Sequence, residues 1–189
     1  MSDQKLSQLT AVSSLAVTDS IYVVNPLSKK ATVQNLLDLG SLQLIAESLS
    51  IGTVAEVPFL NLSAYSEILV IARNITTSAA QLRLFEVSIN NGLGYLTTSG
   101  DYITVLAGGT ESNNTAIAIC EDTTTSARSG MMHVKGWNST RPKMAFPLNR
   151  NISNGACAII PTANALNAFR IRAASGNITG GNIYVYGRR

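Results

Sequence analysis

The sequence predicts an all-β protein: a single antiparallel, jelly-roll-like β-sandwich preceded by a short N-terminal arm. Charged residues make up only 13% of the chain, against about 25% in typical globular domains. Ser, Thr, Asn and Gly supply the remaining polar surface. They favour turns and strands, because the Ser, Thr and Asn side chains compete with a helical backbone for hydrogen bonds. Short apolar runs also alternate with turn signals, roughly every ten residues, as in a sandwich or jelly roll.

The arm is predicted to span residues 1–50, and it is too short to bury a core of its own. A short β-branched strand is expected at residues 21–24, followed by a turn at Asn25-Pro26. Residues 28–33 are expected to pair back on that strand, which makes a small β-hairpin.

Helical signals follow the hairpin. Thr32 with Gln34 and Asn35 predicts the start of a short helix that ends at Gly40. A second short helical stretch is expected over residues 42–49.

The sandwich domain is predicted to span residues 51–189. Its candidate strands are residues 57–62, 67–74, 80–89, 102–106, 115–120, 130–137, 144–148, 156–161, 168–173 and 182–186. The strand at residues 168–173 alternates cleanly, with Phe169 and Ile171 on one face and Arg170 and Arg172 on the other. The predicted core contains Leu69, Ile71, Leu82, Leu84, Ile117, Ile159, Ile171 and Val185. Residues 81–87 are partly apolar on both faces, as expected where the second face of a sheet is also covered.

Enzyme chemistry is poorly supported by the residues present. The single histidine, His133, cannot build a multi-histidine metal site, and no nucleotide-binding or nucleophile motif occurs. Glu121 and Asp122 are adjacent, so they do not form the facing carboxylate pair of a glycosidase. We therefore expect no catalytic activity, cofactor or metal. Cys120 and Cys157 are expected to be free thiols.

Charge is unevenly distributed, since no acidic residue follows Asp122. One interpretation is that early and late strands lie side by side and their charges pair. The other is a basic face for an acidic partner. The basic residues are dispersed without aromatic interleaving, which argues against nucleic acid. The start lacks the apolar segment of a signal peptide, and no run reaches about 20 apolar residues, so we expect a soluble protein without membrane insertion.

Two segments resemble virion appendage proteins of tailed bacteriophages. Residues 5–37, with Lys5-Leu6-Ser7-Gln8-Leu9 and Lys29-Lys30-Ala31-Thr32-Val33, are similar to the N-terminal segment of many phage fibres. Residues 64–187 resemble a β-sandwich of phage head and tail appendages, with the closing motif at residues 169–187. The resemblance implies a structural virion protein: a capsid decoration, a head fibre or spike, or a short tail fibre. It also implies a homotrimer that binds a major capsid, neck or tail protein.

The arm is the expected attachment element, because it has spaced apolar residues, a short strand for edge pairing and two lysines. These residues are Leu6, Leu9, Leu15, Val17, Ile21, Val23, Lys29 and Lys30. The competing interpretation is that the arm folds back along its own sandwich.

A second functional hypothesis is a fibre tip that binds a host receptor or surface polysaccharide. Trp137, Tyr95 and Tyr102 would then stack on sugar rings. Packing in the core or between subunits is the competing interpretation of these aromatic residues.

Overall fold

The computed structural model describes residues 20–22, 30–32, 41–105, 111–120, 125–148 and 157–189. The chain divides into two compact units, Met1–Ser41 and Leu42–Arg189.

The first unit contains a two-stranded antiparallel hairpin. Strand β1 (Ser20–Tyr22) pairs with β2 (Lys30–Thr32), and Ile21 lies opposite Ala31. The predicted hairpin is therefore confirmed, with Ile21 and Lys30 in its strands. The helix predicted to follow Thr32 lies outside the described residues. So do the other predicted attachment residues, which are Leu6, Leu9, Leu15, Val17, Val23 and Lys29.

In its described part, the second unit contains twelve strands and no helix. They are β3 (Gln43–Ser48), β4 (Glu56–Phe59), β5 (Glu67–Thr77), β6 (Arg83–Ser88), β7 (Tyr102–Val105), β8 (Glu111–Asn114), β9 (Ile117–Cys120), β10 (Arg128–Lys135), β11 (Lys143–Leu148), β12 (Cys157–Ile160), β13 (Ala168–Ala173) and β14 (Ile178–Arg188). Eight of them form a large sheet in the order β3-β14-β5-β10-β11-β12-β7-β8. The other four form a small sheet in the order β4-β13-β6-β9. All neighbouring strands are antiparallel.

Both sheets contribute to one hydrophobic core, so the fold is the predicted all-β antiparallel sandwich. Val70 of the large sheet and Phe85 of the small sheet belong to the same buried cluster. Phe169 is central to it. Its ring centroid lies 4.9 Å from that of Phe59 and 5.0 Å from that of Phe85, and it meets the edge of Trp137 at 6.1 Å. Aromatic contacts of this kind add to the free energy of burial.

The helix predicted over residues 42–49 is wrong. Gln43–Ser48 form β3, an edge strand of the large sheet that pairs with β14. Pairing along β14 satisfies backbone groups that a helix this short would leave without partners at its ends. The contacts of residues 42–50 group them with the sandwich, and not with the arm in which we expected them.

The predicted core residues are buried in some strands, whereas in others the alternate residues of the strand are buried instead. Ile117, Ile171 and Val185 are buried, as expected. Five predicted core residues are only half-buried: Leu69, Ile71, Leu82, Leu84 and Ile159. Their neighbours point into the core instead, among them Ile68, Val70, Phe85 and Ile160. Because these strands are apolar on both faces, alternation alone did not decide which face is inside.

Candidate interaction surface

The middle row on the outer face of the large sheet is apolar except for His133. Tyr186 lies opposite Leu69, and Leu69 lies opposite His133 on the next strand. Phe146 lies opposite His133 on the strand beyond. Side chains of directly opposite residues on paired strands lie on the same face of a sheet. These registers therefore place the row on one face. Each of these side chains is half-buried, and none belongs to the core cluster.

Apolar residues continue in the rows on either side. On one side, Tyr184 lies opposite Ile71, which lies opposite Met131. Leu148 follows opposite Met131. On the other side, Met144 lies opposite Ile159, and Ile159 lies opposite Ile103.

We call this surface the apolar outer face. It comprises Leu69, Ile71, Ile103, Val105, Met131, Met144, Phe146, Leu148, Ile159, Tyr184 and Tyr186. Met144 and Leu148 are the most accessible of them, with exposed fractions of 47% and 58%. Contiguous apolar patches larger than a few hundred Å² are uncommon on monomers and mark interaction sites.

Charged groups border the apolar outer face. The Glu67 carboxylate lies 3.2 Å from His133 Nε2 and 3.4 Å from an Arg188 guanidinium nitrogen. Lys135 lies beside Glu67 in the register and is exposed. Within the described residues, no carboxylate lies within ion-pair distance of Lys135. An apolar centre with a polar border is the usual anatomy of a protein–protein interface.

The outer face of the small sheet differs, because a network of charges occupies it. The Glu86 side chain is fully buried and joins two arginines. Arg170 Nε donates to Glu86 Oε2 at 2.7 Å, and Arg172 Nε donates to Glu86 Oε1 at 2.8 Å. Arg170 also donates to Glu56 at 2.7 Å. Acidic early strands and basic late strands thus lie side by side here, as the first interpretation of the charge distribution predicted.

Tyr95 covers this network. The Arg170 guanidinium carbon lies 4.1 Å from the centroid of the Tyr95 ring, within cation–π distance. Burial, followed by the charge of Glu56, raises the pKa of Tyr95, so its phenol is neutral at physiological pH. Burial would lower the pKa of Arg170, but its bonds to Glu86 and Glu56 outweigh that effect and raise it. The charges of Glu86, Glu56, Arg170 and Arg172 therefore pair with one another on this face.

Two of the three proposed sugar-stacking residues are buried, which corrects that expectation. Trp137 is fully buried against Phe169. Tyr102 is fully buried, where its hydroxyl donates to Leu96 O at 3.0 Å and accepts from Val87 N at 2.8 Å. Burial also raises the pKa of Tyr102. Only Tyr95 reaches the surface, and Arg170 occupies one face of its ring. Residue type identified large aromatic groups, but it did not say on which side of a strand they lie.

Within the described residues, no cluster of three or more His, Cys, Asp or Glu side chains has a metal-binding arrangement. The same part of the chain has no helix with the length and hydropathy needed to cross a membrane. Both cysteines are free, with Cys120 buried and Cys157 half-buried.

Comparison with known proteins adds little. No protein-family model matches the chain, and no curated protein matches it. Two solved structures from A. japonicus show a distant likeness: a fructosyltransferase (wild-type) and a protein named CB05. Each is 10% identical with a TM-score of 0.28, over 87% of this chain and 31% of the other. The chain thus spans about a third of the length of those proteins, and at this TM-score the likeness supports no conclusion.

Proposed function

We propose that this chain is a non-enzymatic structural protein of a tailed-phage virion. It sits on the particle surface as a capsid decoration or head spike, or at the neck or tail, and it works as a homo-oligomer, for which the resemblance implies a trimer. It is made in the host cytoplasm and carries no cofactor. The apolar outer face is the observation that supports this proposal most.

An exposed apolar sheet face is costly for a lone protein in water. Each Leu, Ile, Phe or Met side chain that moves from water into a contact contributes about 1.5–3 kcal/mol when burial is complete. On the small sheet, residues of the same chain pair with one another across the outer face, so that face needs no partner. The large sheet is left apolar, which is expected of a subunit and not of an isolated domain.

The motif that resembles phage appendages has a clear role in the fold. Its closing segment, residues 169–187, contains β13, a turn and β14. Gly176 occupies the turn with φ +74°, and a Cβ there would lie 2.6 Å from Ser78 Oγ. Asn177 N donates to the same oxygen at 2.9 Å. The glycine therefore allows two strand connections to pack together.

The arm is the proposed attachment element, through Leu6, Leu9, Leu15, Val17, Ile21, Val23, Lys29 and Lys30. Its partner would be a major capsid, neck or tail protein. Three arms on one oligomer would raise the effective concentration at the particle, so modest individual affinities give firm attachment. We do not propose a polysaccharide-binding tip, because Trp137 and Tyr102 are buried.

The test is a deletion that separates folding from attachment. Removing residues 1–40 leaves β3 and the whole described sandwich intact. We expect the shortened chain to keep its circular dichroism spectrum and to fail to join particles that lack the native protein. The full-length chain is the control and should join them. If the full-length chain does not join particles, the virion proposal is wrong; if the shortened chain joins equally well, the attachment role of the arm is wrong.

A further inference from the structure

We propose that copies of this chain pack on one another through the apolar outer face. This inference rests on the proposed function, and it deepens that function by naming the surface that joins the subunits. The occupant of the face is a second copy of the same chain, packed sheet against sheet. Because the same face serves both copies, this contact has twofold symmetry and joins copies in pairs, so a trimer would need other contacts as well.

The geometry of the face favours a sheet as its occupant. Its side chains come from neighbouring antiparallel strands in register, so they form a broad pleated surface. A surface of this shape is covered most completely by another apolar sheet face at a separation of about 10 Å. Among the described residues, the large sheet supplies such a face and the small sheet does not, because its outer face carries Glu86, Arg170 and Arg172.

The size of the face is suitable for a stable contact. The eleven residues of the face, each occupying about 4.8 Å across the strands and about 6.7 Å along them, cover an area on the order of 350 Å². A standard protein–protein interface buries about 800 Å² on each partner. The apolar outer face therefore provides a little under half of the surface that specific association requires, and its charged border adds to it.

The polar border is compatible with self-association, because it carries both signs of charge. Lys135 is exposed next to Glu67, and Glu47 is exposed on the edge strand opposite Tyr184. When two copies meet, Lys135 of one copy can approach a border carboxylate of the other. A border of one sign would repel its own copy.

The experiment compares the full-length chain with a face variant by analytical ultracentrifugation. The variant combines Met144→Lys and Leu148→Lys, the two most accessible face residues, where a lysine can keep its ammonium group in water. The matched control is Leu93→Lys, at a loop residue with an exposed fraction of 92% that lies outside the face. Circular dichroism and thermal melting check that each variant folds. A milder pair, Met144→Gln with Leu148→Gln, replaces the lysine variant if that one does not fold.

We expect the wild-type chain and the Leu93→Lys control to sediment as the same oligomer at micromolar concentration. The folded face variant should associate at least about tenfold more weakly, which corresponds to about 1.4 kcal/mol. A wild-type chain that remains monomeric, or a face variant that associates like the wild type, would overturn the inference. A wild-type oligomer that joins no particle would contradict the proposed function and leave this interface intact.

Discussion

The outer faces of the two sheets differ in composition: paired charges cover one, and apolar side chains make up the other. On the small sheet, buried Glu86 is paired with Arg170 and Arg172, and Tyr95 covers the pair. On the large sheet, the corresponding surface is a set of half-buried and exposed apolar side chains, among them Ile71 and Met131. The first face is covered by residues of the same chain, whereas we propose that the second is covered by another copy.

Under our proposal, the small sheet contributes to the stability of one chain and the large sheet contributes to association between copies. A buried carboxylate held by two guanidinium groups contributes little net stability compared with an apolar pair, but it is costly to break. An apolar face contributes free energy only when something covers it. The following predictions test this comparison from the largest expected effect to the smallest.

Removing the buried carboxylate should have the largest effect. Glu86→Ala leaves two arginines without their shared partner on a largely buried face, so we expect a loss of about 3–5 kcal/mol in the free energy of unfolding. Urea denaturation measures it. Glu47→Ala, at an exposed edge residue, is the control and should change stability by less than about 0.5 kcal/mol. Equal effects of the two substitutions would show that the network is not a structural element of the small sheet.

Two isoleucines on opposite faces of β5 provide a matched pair. Ile68 is fully buried in the core, and Ile71 lies half-buried on the apolar outer face. In dilute protein, Ile68→Ala should cost about 2–5 kcal/mol, and Ile71→Ala about 1 kcal/mol, because less of its surface is removed from water. Ile71→Ala should instead weaken self-association. Unfolding at low concentration measures the effect on stability, and sedimentation at high concentration measures the effect on association. A larger loss of stability for Ile71→Ala than for Ile68→Ala would contradict the described position of the core.

The cysteines should differ in reactivity. Burial raises the pKa of the Cys120 thiol to about 11, so little of it is the reactive thiolate at pH 8. Cys157 is half-buried on the outward side of β12, opposite Val105. Alkylation at pH 8 should modify Cys157 first, and a higher pH should increase the reactivity of Cys120 as its thiolate fraction rises. Peptide mass spectrometry gives both rates, and faster modification of Cys120 at pH 8 would contradict the described burial.

The sequence identified the fold class, the hairpin and the faces of β13, because that strand alternates Phe169 and Ile171 with two arginines. The faces of β5 and β6 were assigned the wrong way round for a physical reason. Ile68 and Val70 alternate with Leu69 and Ile71, so both sides are equally apolar and only the second sheet decides which is inside. The same apolar character on both sides leaves Leu69 and Ile71 on the outer face of the large sheet. The pairing of Glu86 with residues more than 80 positions away has no local signature.

The central claim is that the apolar outer face becomes buried when the protein assembles. Hydroxyl-radical footprinting of the full-length chain, dilute and assembled, tests it most directly through adjacent methionines of β10. Met131 and Met144 lie on the apolar outer face, on the neighbouring strands β10 and β11. Met132 is fully buried in the core, and Leu93 is an exposed reference outside the face. We expect Met131 and Met144 to be oxidised readily in dilute protein and protected on assembly, while Met132 stays protected and Leu93 stays reactive. Unchanged oxidation of Met131 and Met144 on assembly would contradict the account.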